Sequence, residues 1–139
     1  IPYSHICCAA GTGATLAGLT NASYPHQKII GISVLKGTQD LEPLHSAWIK
    51  DQEALNRIQL VHHYHFGGYA RKTTALLDFM NEVYQNSGIP TDFVYTGKLL
   101  YAVADLARAD FFPKKSRILI IHSGGLQGNL SIPPGELHF

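Results

Sequence analysis

The sequence has little of what usually sorts a chain at sight. It holds two cysteines in 139 residues, Cys7 and Cys8, side by side in an apolar run. Neighbouring strand residues point to opposite faces, so these two are poorly placed to bridge each other. Two small buried thiols in a reduced, cytoplasmic protein are expected. Charge of either sign is not in excess: Lys+Arg is 11, Asp+Glu is 10, and the formal net charge is +1. That balance excludes a basic stripe for nucleic acid and an acidic solvating tail. The apolar runs are far shorter than a membrane span. No charged segment with a following apolar one opens the chain, so no signal peptide is read. Neither a nucleic acid nor a membrane is expected as a partner. The chain also starts without a methionine, at "IPYSHICC", almost directly on a strand. A piece of a longer protein is expected from this.

What is present suits one compact domain. Hydrophobic residues make up 45% of the chain and charged residues 15%, enough apolar surface for a core and too much for a disordered chain. Residues 3–10 (YSHICCAA), 28–36 (KIIGISVLK) and 117–122 (RILIIH) read as strands, and 58–66 (IQLVHHYHF) as strand-like or extended. Thr15 to Asn21 reads as a short helix. Residues 42–57 have helical spacing, with Leu44, Ala47, Trp48 and Leu55 on one side. Residues 72–87 place Ala75, Leu76, Phe79, Met80 and Val83 on one helical face, closed by Gly88 as C-cap and Pro90 beyond it. Gly97 to Asp110 place Leu99, Leu100, Val103, Leu106 and Ala107 inward. Continuous apolar strands alternating with helices predict an α/β fold of three layers, with a mostly parallel sheet covered on both faces. Such sheets bind ligands beyond the carboxyl ends of their strands. Gly11–Thr15 and Ser123–Gly125 each follow a strand and should share that edge.

Gly11-Thr12-Gly13-Ala14-Thr15 has the make-up of an anion-binding turn. Glycines let successive N–H groups converge, and the helix that follows adds its positive end. No Gly-Lys-Ser/Thr follows, so it is not a Walker A loop; Leu16 stands where a dinucleotide fingerprint needs glycine. A phosphate cradle and a purely structural strand–helix turn both remain open. Tyr69, after Gly67 and Gly68, is placed to lean into a cleft or to sit on the surface. Tyr95 and Thr96 precede a helix: either two hydroxyls reach a site, or Thr96 is simply the N-cap. His122-Ser123-Gly124-Gly125 ends a strand as a ligand-contacting turn or a plain reversal. His122 and Ser123 would face opposite ways, which argues against a catalytic pair. His62, His63 and His65 have no carboxylate or cysteine near them in sequence, so no metal site is expected.

Taken in order, "AAGTGATLAGL", "HFGGYA", "DFVYTGKLLYAVADL" and "ILIIHSGGLQG" closely resemble the C-terminal half of the 1-aminocyclopropane-1-carboxylate deaminase / D-cysteine desulfhydrase family. These are pyridoxal-phosphate enzymes of the tryptophan-synthase-β-like fold (fold type II). The resemblance covers essentially the whole chain. It implies that residues 1–139 are the C-terminal part of the large cofactor-binding domain. It implies that Gly11, Thr12, Gly13, Ala14 and Thr15 hold the cofactor phosphate. Tyr69 and Tyr95 match two active-site tyrosines near substrate and cofactor. Thr96 falls where deaminases of the family carry a glutamate beside the pyridine nitrogen, with Ser123 near the same atom. A carboxylate there keeps the ring nitrogen protonated, whereas a hydroxyl supports a neutral ring. The "YTG" form is similar to desulfhydrase-type members, which carry out α,β-elimination. Pyridoxal 5'-phosphate, a small amino-acid substrate and a homodimeric full-length protein follow as expectations.

The family's cofactor-anchoring lysine lies upstream of the matched region. None of Lys28, Lys36, Lys50, Lys72, Lys98, Lys114 and Lys115 stands in its motif context. The full-length protein is therefore expected to be a lyase or deaminase and this chain alone inactive. Cyclopropane-ring opening, a non-catalytic phosphate-ligand module and an inactive fragment are the competing readings.

Overall fold

A computed structural model describes residues 2–37 and 47–139. Its elements run β1 (His5–Ala10), α1 (Ala14–Ala22), β2 (Lys28–Ser33), α2 (Gln52–Leu55), β3 (Ile58–Val61), α3 (Thr74–Ser87), α4 (Thr96–Arg108) and β4 (Ile118–Ile120). A 3-10 turn follows at Leu126–Ser131. The four strands form one sheet in the order β3-β2-β1-β4. Every pairing is parallel, with Cys7 opposite Ile30 on one side and Ile120 on the other, and Ile30 opposite Gln59.

The apolar runs explain the layering. β1 and β2 are central, so both of their faces need cover. Cys7, Ile30, Ile32 and Val61 pack against Leu99, Ala102, Val103 and Leu106 of α4. Ile6, Cys8, Ala10 and Ile29 pack on the opposite side with Leu16 of α1. The expected three-layer α/β fold is there, and its sheet is wholly parallel. Cys7 and Cys8 point to opposite faces, and both thiols are free and buried. α3 packs through Leu76, Leu77 and Met80 against Phe93 and Val94, which lead into α4.

Several boundaries differ from the sequence expectation. The helix expected over 42–57 lies partly outside the described residues. Within 47–57, Asp51 is extended and its side chain accepts from the Glu53 N–H, so a new short helix starts there. Trp48, expected inward, is exposed, and Ile49 is the buried residue. The strand expected over 58–66 ends at Val61, before a run of left-handed backbone. Four of the five residues from Phe66 to Ala70 have positive φ, and a strand cannot continue through that geometry. On α3, Ala75 is exposed, while Leu77 and Asn81 are buried. On α4, Ala102 takes the inward place expected of Ala107. Gly88 caps α3 as expected, at φ 70°, its N–H donating to the Tyr84 carbonyl.

Among the described residues, no helix is long and apolar enough to cross a membrane.

Candidate active site

The carboxyl ends of β1 and β4 open onto one cleft of about 360 Å³. Its floor is Ala9 and the Gly11–Thr15 turn; its walls are Tyr95, Ser123, Gly125 and Gln127. The two post-strand turns therefore share one edge of the sheet, as the parallel topology requires.

The turn is shaped for an anion. Gly13 is the N-cap of α1, at φ 91°, with no side chain capping it. The first amides of the nine-residue helix are thus left without a side-chain partner at its positive end. Thr12 and Thr15 are exposed and bring two hydroxyls to the same place. Gly11 gives the ring of Tyr95 room: a Cβ there would lie 3.3 Å from its Cε1, a tight contact. The ring of Tyr95 therefore lies directly against the turn.

Tyr95 is placed by a buried carboxylate. Asp92 is fully buried. Its Oδ2 accepts from the Val94 N–H at 2.9 Å and the Tyr95 N–H at 2.8 Å. Its Oδ1 accepts from the Thr96 N–H at 2.9 Å and the Thr96 hydroxyl at 2.7 Å. The Thr96 oxygen in turn accepts from the Asp92 N–H at 2.9 Å. Asp92 thus satisfies the amides of the turn that leads into α4 and of the first helical residue, Thr96. It also lies beneath Gly125, where a Cβ would come within 3.2 Å of its Oδ1. One carboxylate therefore holds the Tyr95 wall and leaves no room for a side chain at position 125.

The structure does not bring Thr96 to the cleft wall. The side chain is buried, and its hydroxyl both donates to and accepts from Asp92. Nor is it the N-cap, which is Tyr95, with no side chain capping it. The hydroxyl that does line the cleft opposite the turn is that of Ser123. His122 is occupied elsewhere: Nε2 lies 2.8 Å from the Pro90 carbonyl, and Nδ1 accepts from the Gly124 N–H.

Tyr69 is 58% exposed and does not line the cleft itself. It reaches the site through Tyr95, whose ring it meets edge to face with centroids 6.3 Å apart. The Tyr95 hydroxyl is held above its ordinary phenol value, first by hydrogen bonding with Tyr69, then by burial and the charges of Tyr69 and Asp92.

Among the described residues, no lysine lines the cleft. Lys98, three residues past Tyr95, is fully buried. Its Nζ donates to the His65 carbonyl at 2.8 Å and the Gly68 carbonyl at 2.9 Å. Burial lowers its ammonium to about 8, against the opposing pull of Asp92. Sequence reasoning missed Asp92, Lys98 and Gln127. Only Asp92 left a local sign, an acidic residue just ahead of a helix start.

No family model matches the chain. Relatives do. A Pyrococcus horikoshii protein, provisionally named 1-aminocyclopropane-1-carboxylate deaminase, is 33% identical over 136 residues, spanning 92% of this chain and 41% of that protein. A bifunctional D-cysteine desulfhydrase/1-aminocyclopropane-1-carboxylate deaminase, mitochondrial, of Arabidopsis thaliana is 30% identical over 142 residues, spanning 92% of this chain and 34% of it. The crystal structure of an ACC deaminase homologue superimposes with a TM-score of 0.77 at 32% identity, over 93% of this chain and 42% of that one. The chain thus spans 34–41% of the length of these two relatives. The resemblance carried by the four motifs extends over nearly all of it.

Proposed function

We propose, for a chain that resembles the 1-aminocyclopropane-1-carboxylate deaminase / D-cysteine desulfhydrase family over nine-tenths of its length, that it is the C-terminal part of a large cofactor-binding domain. In that reading it holds the phosphate end of pyridoxal 5'-phosphate. The single observation behind the reading is the cleft in which the uncapped start of α1, the Tyr95 ring and the Ser123 hydroxyl converge.

The residues present fit the phosphate end of that group. The backbone amides at Gly13–Thr15 and the Thr12 and Thr15 hydroxyls would take the phosphate oxygens. Ser123, on the opposite wall, would face the ring nitrogen, a place that the resemblance gave to Thr96 and Ser123 together. When bound, the cofactor would supply an electron sink for a carbanion at the substrate Cα. This chain's part is to orient it and to move protons. Tyr95 would hold or pass a proton at its hydroxyl, supported by Tyr69. Asp92 would keep Tyr95 at a fixed position.

The whole protein would act on a small amino acid. We favour α,β-elimination from D-cysteine, which with one water gives a 2-oxo acid, ammonia and hydrogen sulfide. The support is chemical. Among the described residues no carboxylate lines the cleft, and Asp92 already accepts from three amides and a hydroxyl. A hydroxyl beside the ring nitrogen leaves that nitrogen neutral, whereas ring opening of a cyclopropane would draw on a protonated one. The test is to supply the full-length protein with cofactor and offer D-cysteine and 1-aminocyclopropane-1-carboxylate in turn. Sulfide with 2-oxo acid from D-cysteine supports the reading. A 2-oxo acid from the cyclopropane substrate alone overturns the choice of substrate, and no product from either overturns the reaction class.

A further inference from the structure

The segment from His65 to Ala70 is the most strained stretch among the described residues. Phe66 has φ 53°, Gly67 99°, Gly68 124° and Ala70 50°. Left-handed backbone is costly for residues with a Cβ, and Phe66 and Ala70 both carry one. Such strain persists only where the surroundings over-determine it, and it gathers at functional sites.

The Phe66 ring packs edge to face on Tyr101 and His65 Nδ1 accepts from the Gly67 N–H, but one side chain reaches the turn from α4 and bonds its backbone twice. The His65 carbonyl already accepts from the Gly68 N–H, and the Gly68 carbonyl from the Arg71 N–H. Lys98 Nζ donates to the same two carbonyls, from beneath. It ties both ends of the turn to α4, the helix that starts beside Tyr95. Tyr69 is the next residue along the turn, and its ring rests on Tyr95.

We propose that Lys98 is a positioning residue, whose buried amino group holds the His65–Gly68 turn so that Tyr69 stays against Tyr95 at the cleft. The value of that placement for catalysis rests on the function proposed above; the placement itself does not. It also accounts for a lysine sitting close to a cofactor cleft in sequence and yet absent from the cleft wall: its hydrogen bonds are spent on the loop.

The test uses the full chain and the substitution Lys98→Met, which keeps length and apolar volume and removes the donors. Hydrogen–deuterium exchange across 66–71 should quicken about tenfold or more, while β2 stays protected. The ring-proton NOE between Tyr69 and Tyr95 should vanish, a signal that a lysine of merely structural use would leave in place. Unchanged exchange and a retained NOE would overturn the proposal. Should Lys98→Met not fold, amine acetylation of the wild-type chain decides: Lys98 should resist labelling under conditions that modify Lys36, Lys50, Lys114 and Lys115. Labelling of Lys98 at the rate of those four would overturn it. Binding of pyridoxal phosphate to the wild-type chain is measured alongside. Its failure would count against the function proposed above, while the exchange and ring signals would still decide the lysine.

Discussion

Tyr69 and Tyr95 meet edge to face with ring centroids 6.3 Å apart, although 26 positions separate them. Neither helix nor strand carries Tyr69; a left-handed turn does, tied from below by Lys98. Tyr95 is fixed by Asp92. Two buried charged side chains thus set the geometry of two exposed or half-exposed phenols.

The glycine turn should tolerate no side chain. Gly13→Ala would force a Cβ residue to φ 91°, costing about 1–2 kcal/mol in the left-handed region. Gly11→Ala would instead push against the Tyr95 ring, 3.3 Å away. Both variants should lose phosphate-ester binding by at least about tenfold, read by calorimetry, and Gly13→Ala should also lower the melting temperature. Binding unchanged in both would remove the turn from the site.

Asp92→Ala strips four hydrogen bonds from the start of α4. Leaving buried donors unpaired should cost about 3 kcal/mol or more. Asp51→Ala removes the exposed cap of α2, a single bond to Glu53, and should cost about 1 kcal/mol or less. Urea melts of the two variants give the comparison. Equal losses would show that Asp92 does no more than an ordinary cap.

Stability should depend on alkaline pH in two opposed steps. Burial lowers Lys98 from 10.5 to about 8, so between those values the unfolded chain binds a proton that the folded chain has released. Stability from this group rises with pH over that window. Burial raises Cys7 and Cys8 from 9.0 to about 12. Here the folded chain keeps protons that the unfolded chain gives up, so stability is whole below pH 9 and falls toward pH 12. One group gains and two lose. The unfolding free energy should therefore climb from pH 8 to 9 and decline above it. In the Cys7→Ala/Cys8→Ala variant the decline should wait until about pH 10, where Tyr64, raised from 10.0 to about 12 by burial and Asp105, takes over. An identical pH profile in the variant would contradict this assignment.

The fold was legible wherever one local pattern carried the information. The apolar runs at β1 and β2, the glycine break between β1 and α1, and Gly88 after α3 each announced themselves. Alternation along a strand was enough to send Cys7 and Cys8 to opposite faces. The departures came where another side chain or a distant backbone group, rather than the spacing pattern, decided the outcome. Trp48 had helical spacing with Leu55, but Asp51 interrupts that helix and leaves the indole exposed. Thr96 precedes a helix and reads as its cap or as a site hydroxyl; a carboxylate four residues earlier claims it for neither. Lys98 sits on a helix, where a lysine usually reaches solvent. Its burial is set by two carbonyls about thirty residues upstream, which no sequence window around it contains.

The central claim is that the start of α1 and the turn after β4 hold one phosphate-bearing ligand. Titrating pyridoxal 5'-phosphate into the isotope-labelled chain, with amide shifts followed by NMR, tests it most directly. The account predicts saturable shifts at Gly11, Thr12, Gly13, Ala14 and Thr15, with smaller ones at Tyr95, Ser123 and Gly125. Shifts centred on the larger cavity lined by Lys72, Asn81 and His138, or none at millimolar ligand, would contradict it.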